Sequence, residues 1–558
     1  MRIGVYICHC GRNIAGVINI DEVTEHASKI PGVVVAKNYR YMCSDPGQET
    51  VKTDIEENNL DRVVIAACSP TMHQSSFMNS VQKAGMNPYR LERANIRENV
   101  SWVNPNSEDA TEKAKILVSA AIAKVMLSDA LIAKEVSVIP AAMVIGGGIS
   151  GIQAALDIAD SGFRVYIVER ETVLGGNSAK LSKTFPVMED AKAIVDKKIA
   201  LLENHSNVKI MTNSELVSVS GYIGNFNIEV KSIGSTDSVE LQIGTIVLAT
   251  GYSLFDAHEK PELAYGLYPN ILTGMEFESL GENIEINGKQ PQSIAFIQCV
   301  GSRDETVHAE FCSRVCCMYT AKQALQARLA LPDAQIIVYY IDVRAFSRGN
   351  EEFYSKVQRS KILYSRGTVS EIYKKGDKLV VKAEDTLLGE INEREADMVV
   401  LATGMRPASN SKQIAKMFNV STGADGFFLE AHPKLGPVET TTDGVFLAGC
   451  SVGPKDITDS ISQAHAAAIK ACIPLFKKMV RREPMVAHIE EETCSGCCLC
   501  ESICEYKALV FDAKRRIMTV NEALCRGCGA CASACPSGSN QLKNTTKKQI
   551  FEMIDILV

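Results

Sequence analysis

Three observations predict an α/β chain built from several domains. Between residues 140 and 480, short β-branched runs alternate with helical stretches, the pattern of sheets whose faces are covered by helices. A Gly146-x-Gly148-x-x-Gly151 turn stands between a strand and a helix at the head of that region. Near the C-terminus the spacing C-x2-C-x2-C-x3-C occurs twice. The 558 residues exceed what one hydrophobic core holds, so about two to four domains are expected.

Composition narrows the function classes. With 46% hydrophobic and 22% charged residues the chain is an ordinary globular protein, neither disordered nor fibrous. A net charge of −7 over this length argues against nucleic acid or an anionic membrane as partner. No apolar run approaches the ~18 residues of a membrane span, and MRIGVYICHC lacks the features of a signal peptide. The 19 cysteines are the distinctive count. Their spacings do not describe a secreted disulfide scaffold, so most are expected to be metal ligands in a reducing, cytoplasmic compartment.

Taken in order, residues 1–105 read as a small α/β domain. RIGVYIC and DRVVIAAC are β-branched runs that each end in a cysteine. Residues 106–139 are expected to form a connector helix, with Ile116, Leu117, Ala120, Ala121 and Val125 at helical spacing after the acidic start SEDATE. Residues 140–480 form the large α/β domain, KKMVRREP reads as a linker, and 481–558 hold the terminal cysteine module. The single Trp102 is read as a packing residue, and His9 and His73 as structural.

In the terminal module, Cys494, Cys497, Cys500 and Cys504 are followed by Cys525, Cys528, Cys531 and Cys535, then Pro536. This is the spacing of bacterial two-cluster ferredoxins, in which the fourth ligand of each cluster comes from the other repeat. One [4Fe–4S] cluster is therefore expected on Cys494, Cys497, Cys500 and Cys535, and a second on Cys525, Cys528, Cys531 and Cys504. Paired zinc sites would leave half of these cysteines without a role. Glu505 stands where the first repeat usually has proline, and Cys498 is read as a packed thiol.

The glycine turn at 146–151 predicts dinucleotide binding. Its glycines allow a tight turn, close approach of the backbone to a pyrophosphate, and packing of helix on strand, while Glu169 ends the next strand within reach of a ribose. FAD is favoured over NAD by Gly175-Gly176, by the two Ala-Thr-Gly turns that close strands at Ala249-Thr250-Gly251 and Thr403-Gly404, and by the segment TDGVFLAG. That segment resembles the second flavin-binding stretch of thioredoxin-reductase-like flavoproteins, although Cys450 stands where they usually have Asp. The candidate flavin residues are Gly146, Gly148, Ile149, Ser150, Gly151, Glu169, Arg170, Gly175, Gly176, Asn177, Ala249, Thr250, Gly251, Thr403, Gly404, Gly449, Asp456 and Ile457. Cys450 and Cys472 are read as structural thiols.

Mid-chain, the strand SIAFIQCVGSRDE has Cys299 and Gly301 where a nicotinamide-dependent relative would carry a second glycine triplet. Cys312, Cys316 and Cys317 follow at a helix start. An adjacent pair is poorly shaped for a redox disulfide, so these four cysteines are expected to hold one cluster. Cys8, Cys10, Cys43 and Cys68 lie at or near strand ends of the first domain, where thiolates from one sheet edge can meet.

Together, CVGSRDE…FCSRVCCMYTAKQA, ICHCGRNI, CSDPGQ, ACSPTMH and the terminal module resemble the A-type subunit of heterodisulfide reductase over essentially the whole chain. The resemblance implies a thioredoxin-reductase-like FAD core flanked by [4Fe–4S] clusters, four in all, with the flavin as the site of electron bifurcation. It implies that the mid-chain cluster lies beside the flavin and that Lys322 sits near the reactive edge of the isoalloxazine; about one and a half helical turns from Cys317 make that possible. It supports the N-terminal cluster. It also implies an anaerobic, methanogenesis-type setting and a set of partners: disulfide-reducing B- and C-type subunits with a CoM-S-S-CoB type acceptor, an electron-input hydrogenase or formate dehydrogenase-type module, ferredoxin, and a second copy of the chain in a homodimer. Many methanogen members insert a further ferredoxin-like module, and the cysteine-free stretch between Gly251 and Cys299 predicts that it is missing here. Two other readings stand beside bifurcation: a non-bifurcating electron-transfer component of a sulfur-metabolising or quinone-linked complex, and an NAD(P)H-dependent flavin oxidoreductase.

Overall fold

The computed structural model describes residues 1–286 and 288–557. They form two compact units, one of Met1–Glu135 with Arg481–Val558 and one of Val136–Val480.

The first unit opens with a four-stranded parallel sheet in the order Val33–Tyr39, Ile3–Cys8, Arg62–Ala67, Leu91–Asn95. The strands Ile3–Cys8 and Arg62–Ala67 are almost wholly buried, as β-branched central strands covered on both faces should be. Because the strand order reverses between them, their carboxyl ends border a crevice, the usual ligand position in open α/β sheets. Cys8 ends the first of these strands and Cys68 directly follows the second.

The helix Ser107–Met126 is capped by Asn106, whose side chain accepts from the Glu108 N–H. Its spacing alone reads as a connector to the next domain. The structure corrects this: Ala110, Ala114, Val118, Ala121, Ile122 and Val125 are buried in the core of the first sheet. Its small residues let the helix lie close to the strands, so it completes this unit.

The terminal cysteine segment folds into the same unit. Two short antiparallel pairs, Ala487–Ile489 with Asn540–Leu542 and Leu509–Asp512 with Ile517–Val520, frame the helices Leu499–Ile503 and Ala530–Ser533. Asn544 fastens this segment to the first: its Nδ2 donates to the carbonyls of Tyr89 and Asp129 at 3.1 Å, and its Oδ1 accepts from Asp129 N at 2.8 Å.

The second unit contains two similar halves. One parallel five-stranded sheet runs Val445–Leu447, Thr245–Leu248, Ala141–Ile145, Arg164–Val168, Val208–Met211. The other runs Ile271–Thr273, Met398–Thr403, Ser293–Val300, Gln335–Tyr340, Leu363–Arg366. Each half also carries a three-stranded antiparallel sheet, within residues 214–243 in the first and 369–396 in the second. The helix Ile149–Asp160 packs Ile152, Ala155 and Ile158 against Val144, Ile167 and Val247, all fully buried. At about 1.5–3 kcal/mol for each large aliphatic side chain, this packing holds the glycine turn in place. Cys472 lies in the same core, as a structural thiol should. Among the described residues no helix is long and apolar enough to cross a membrane.

Candidate functional site: a flavin cradle and four cysteine groups

The first half of the second unit builds a cradle at the carboxyl ends of its strands. Gly146 adopts φ +107° against the Ala249 carbonyl, and a side chain on Gly151 would meet the Gly146 oxygen at 1.8 Å. Space beside Gly148 is open, with no atom within 4 Å of where a Cβ would stand. Gly148 is also the N-cap of the helix Ile149–Asp160 and supplies no capping side chain, so the first N–H groups of Ile149, Ser150 and Gly151 await an acceptor. Gly175 N donates to the Gly147 carbonyl at 2.8 Å, which lays Gly175-Gly176-Asn177 along this turn. Glu169 accepts from Gly147 N at 2.5 Å and from Glu171 N at 2.8 Å, so its carboxylate is fixed at the rim. Arg170 points outward, half exposed, and bonds Ser409 Oγ at 3.2 Å.

The other flavin segments converge on the same edge. Ala448 N donates to the Leu248 carbonyl, which places the TDGVFLAG strand beside Ala249-Thr250-Gly251. Gly449 presses on Ser150, where an added Cβ would stand 2.0 Å from the hydroxyl. Asp456 caps the helix Ile457–Lys477 by accepting from Asp459 N at 2.8 Å, so this helix starts where the sequence placed it. Thr250 Oγ1 is buried with no partner. An orphaned hydroxyl, an open glycine wall and a helix N-terminus without a cap fit a bound dinucleotide.

The mid-chain cysteines are tied to this cradle. Cys299, Cys316 and Cys317 form one buried cluster with Ala402. The three thiols act on one another: proximity to Cys316 lowers the pKa of Cys299 and of Cys317, and proximity to those two raises that of Cys316. Cys312 Sγ accepts from Arg314 N at 3.3 Å. Ser313 Oγ accepts from Met405 N at 2.9 Å, beside the Thr403-Gly404 turn. Arg314 forms an ion pair with Asp459 in the first turn of the Ile457–Lys477 helix. Tyr319, three residues past Cys316, donates to the Thr403 carbonyl at 2.9 Å and packs with Tyr252, Met405 and Cys450. One apolar cluster thus joins the cysteine motif to the turns after Gly251, Gly404 and Gly449.

Lys322 is 1% exposed, forms an ion pair with Glu278 and donates to the Lys183 carbonyl at 3.0 Å. Glu278 accepts in addition from Ser182 N and Oγ and from Gln323 Nε2. Burial pushes the Lys322 ammonium below its ordinary value, and Glu278 opposes the shift. The lysine therefore borders residues 182–183, just downstream of Gly175-Gly176.

In the first unit, Cys8 Sγ accepts from Cys10 N at 3.3 Å and from Met42 N at 3.4 Å, and Arg97 donates to Cys10 Sγ at 3.2 Å. Cys43 faces both Cys68 and Cys10. In the terminal segment, burial and then the neighbouring Cys525, Cys504 and Cys528 push the Cys531 thiol up to about 11. A cavity is lined by those same four cysteines. Cys500 likewise faces Cys535 and Cys497. Cys504 of the first repeat thus lies with Cys525, Cys528 and Cys531, and Cys535 of the second with Cys497 and Cys500. Cys525, Cys504 and Cys535 each accept backbone N–H donors at 3.3 to 3.5 Å, an arrangement that fits sulfurs ligating a cluster.

None of the 19 cysteines is in a disulfide. Among the described residues no three His, Cys, Asp or Glu side chains are closed around a single-ion position. Cys498 donates to the Gly496 carbonyl at 3.4 Å, and His9 bonds Asn38 Oδ1 at 2.8 Å, in keeping with structural roles. Trp102 departs from expectation: it is 58% exposed, with the Arg97 guanidinium 4.7 Å above its ring. Sequence reasoning misses Arg93, Arg97 and Glu278, because a charged residue far along the chain from its partner leaves no spacing signal.

Residues 140–268 match a family model described as pyridine nucleotide-disulphide oxidoreductase, and residues 493–539 match one described as 4Fe-4S dicluster domain. The chain is 41% identical to the A-type subunit of the H(2):CoB-CoM heterodisulfide,ferredoxin reductase of Methanothermobacter thermautotrophicus, covering 91% of this chain and 90% of that protein. Methanopyrus kandleri has two A-type iron-sulfur subunits of CoB--CoM heterodisulfide reductase that also match. The one numbered 2 is 42% identical over 91% of each chain. The one numbered 1 is 38% identical over 653 aligned positions that cover all of this chain and 98% of that one. Since 653 positions exceed the 558 residues here, that relative carries segments with no counterpart in this chain.

Proposed function

The chain belongs to the family of heterodisulfide reductase A-type subunits, and on that premise we propose that it takes an electron pair onto its flavin and divides it between two cluster paths. It is an oxidoreductase of FAD and [4Fe–4S] clusters. One path leads through partner subunits to a disulfide of the CoM-S-S-CoB type, and the other leads to ferredoxin. Two rounds deliver two electrons and, with two protons, convert the disulfide to two thiols. Relatives of this chain are named as heterodisulfide,ferredoxin reductases, which supports both branches.

The observation that carries this reading is the fastening of the Cys312–Cys317 segment to the flavin cradle, through Ser313 to Met405 and Arg314 to Asp459. When bound, FAD supplies the exchange between two-electron and one-electron chemistry. The chain's own residues bind and orient it. Gly146, Gly148 and Gly151 shape the pyrophosphate wall, Glu169 stands at the ribose, and Thr250 offers its free hydroxyl. Asp456 and Ile457 start the helix whose N-terminus would take the ribityl chain. Lys322, ion-paired with Glu278, would supply positive charge to the flavin. Cys299, Cys312, Cys316 and Cys317 would hold one cluster, which supplies one-electron exchange with the flavin. Further clusters would be held by Cys8, Cys10, Cys43 and Cys68 and by the two terminal sets.

The nicotinamide-dependent reading finds less support. Where a second glycine triplet would admit NAD(P)H, the Phe255 ring fills the space beside Gly301, 2.1 Å from where a Cβ would stand. The proposed setting is a cytoplasmic complex with B- and C-type subunits, a hydrogenase or formate dehydrogenase-type donor, and a second copy of the chain. Iron and flavin analysis of the anoxically reconstituted chain, joined to a spectroscopic redox titration, tests it. About one FAD and about sixteen irons are expected, four for each four-thiol site. About eight irons would remove both the N-terminal and the mid-chain clusters from the scheme.

A further inference from the structure

The strand Leu91–Asn95 brings a cation into the first unit's cysteine crevice. Arg93 is only 7% exposed, yet among the described residues its guanidinium meets no carboxylate. One Nη donates to the Cys68 carbonyl at 2.9 Å and lies 3.9 Å from Cys68 Sγ, while Nε and the other Nη are buried without a partner. One face lies on the Phe77 ring at 4.8 Å. The groups that it faces instead are the sulfurs of Cys68, Cys8 and Cys43. The fourth cysteine of the set has its own cation. Arg97 donates to Cys10 Sγ at 3.2 Å and to Met72 Sδ at 3.0 Å, and is held between Glu98 at 2.8 Å and the Trp102 ring. Two guanidinium groups thus address all four thiols.

A buried cation without a counter-ion is costly, and neutral thiols would not offset it. Four thiolates around an iron–sulfur cube leave a net negative charge, which supplies the missing counter-ion and acceptors for the idle N–H groups. Adding one electron to the cube makes that charge more negative. No bond or proton moves in the step, so the neighbouring cations favour the reduced form directly.

We propose that Arg93 and Arg97 are the electrostatic partners of the N-terminal four-cysteine cluster and raise its reduction potential, making it an electron-accepting station of the chain. This rests on the reading of Cys8, Cys10, Cys43 and Cys68 as cluster ligands. Arg97 acts at the rim of the site and Arg93 within it. Both tune the cluster without ligating it.

The test is a redox titration followed by electron paramagnetic resonance on the full reconstituted chain and on the variants Arg97→Gln, Arg97→Lys and Arg93→Gln. In Arg97→Gln, one cluster signal is expected to shift to lower potential by about tenfold in its reduction equilibrium, which is 59 mV for a one-electron couple. The other signals should stay in place. Arg97→Lys, which keeps the charge, should recover most of the shift. Arg93→Gln should shift the same signal further or lose about four irons, since the site is then left without its buried cation. A wild-type midpoint in Arg97→Gln, or an equal shift of every signal, overturns the proposal. If the unaltered chain instead binds only about twelve irons, with no signal assignable to the N-terminal cysteines, it is the underlying cluster reading that has failed.

Discussion

Lys322 and Glu278 form an ion pair with both side chains 1% exposed, the most deeply buried charged pair among the described residues. Glu278 comes from the short helix Gly274–Ser279 and Lys322 from the helix Cys316–Ala330 that begins at the mid-chain cysteines. The pair joins the cysteine helix to Ser182 and Lys183, downstream of the Gly175-Gly176 turn.

Removing one partner leaves the other buried and uncompensated. Glu278→Gln should destabilise the chain by about 3 kcal/mol in thermal or denaturant unfolding, while the double variant with Lys322→Met should regain most of that loss. If Lys322 also supports the flavin, the double variant will still show a lowered flavin potential in a spectroscopic titration. A wild-type potential would confine the lysine to a structural role.

The same carboxylate makes an acid-side prediction. Burial alone would raise the Glu278 pKa, but the Lys322 ammonium and the Ser182 donors outweigh it and hold the carboxyl below its ordinary 4.5. The stabilisation is therefore complete above pH 4.5 and is lost as pH falls through the lower folded value. Unfolding curves of wild type and Glu278→Gln should converge as the pH drops below that window.

Gly151→Ala should abolish flavin binding. An added methyl would meet the Gly146 carbonyl oxygen at 1.8 Å, and that oxygen is backbone, with no side-chain freedom to give way. At least about a tenfold loss of bound FAD is expected, or ~1.4 kcal/mol, read from flavin absorbance per chain. Iron content should change little.

Cys535→Ser should cost about four irons and the cluster of Cys494, Cys497 and Cys500, although Cys535 belongs to the other repeat. Cys504→Ser should do the converse to the set lining the Cys525–Cys531 cavity. Loss of the cluster in the variant's own repeat would mean that the ligands do not cross. The two species can be told apart by electron paramagnetic resonance.

NADH or NADPH should bleach the flavin of the isolated chain slowly or not at all, because Phe255 occupies the space beside Gly301. Rapid bleaching in a stopped-flow experiment would favour the nicotinamide-dependent reading.

Local spacing is enough to establish much of this protein. A glycine triplet between strand and helix, and thiols at i, i+3 and i+6, work through neighbouring backbone, so the order of residues alone carries them. The flavin-binding half, the doubled terminal module and the carboxyl-end positions of Cys8 and Cys68 are legible in this way. Tertiary structure decides what depends on partners distant in the chain. The helix Ser107–Met126 is core because its small residues meet the first sheet, and helical periodicity alone does not say which surface covers an apolar face. The terminal module joins the first segment through Asn544, a polar residue with no motif of its own. The cations beside the cysteines emerge only once the strand carrying Arg93 and the turn carrying Arg97 are laid against the crevice. Thiol ligands are bound to their cluster through short loops, whereas electrostatic partners act through space and can come from anywhere in the fold.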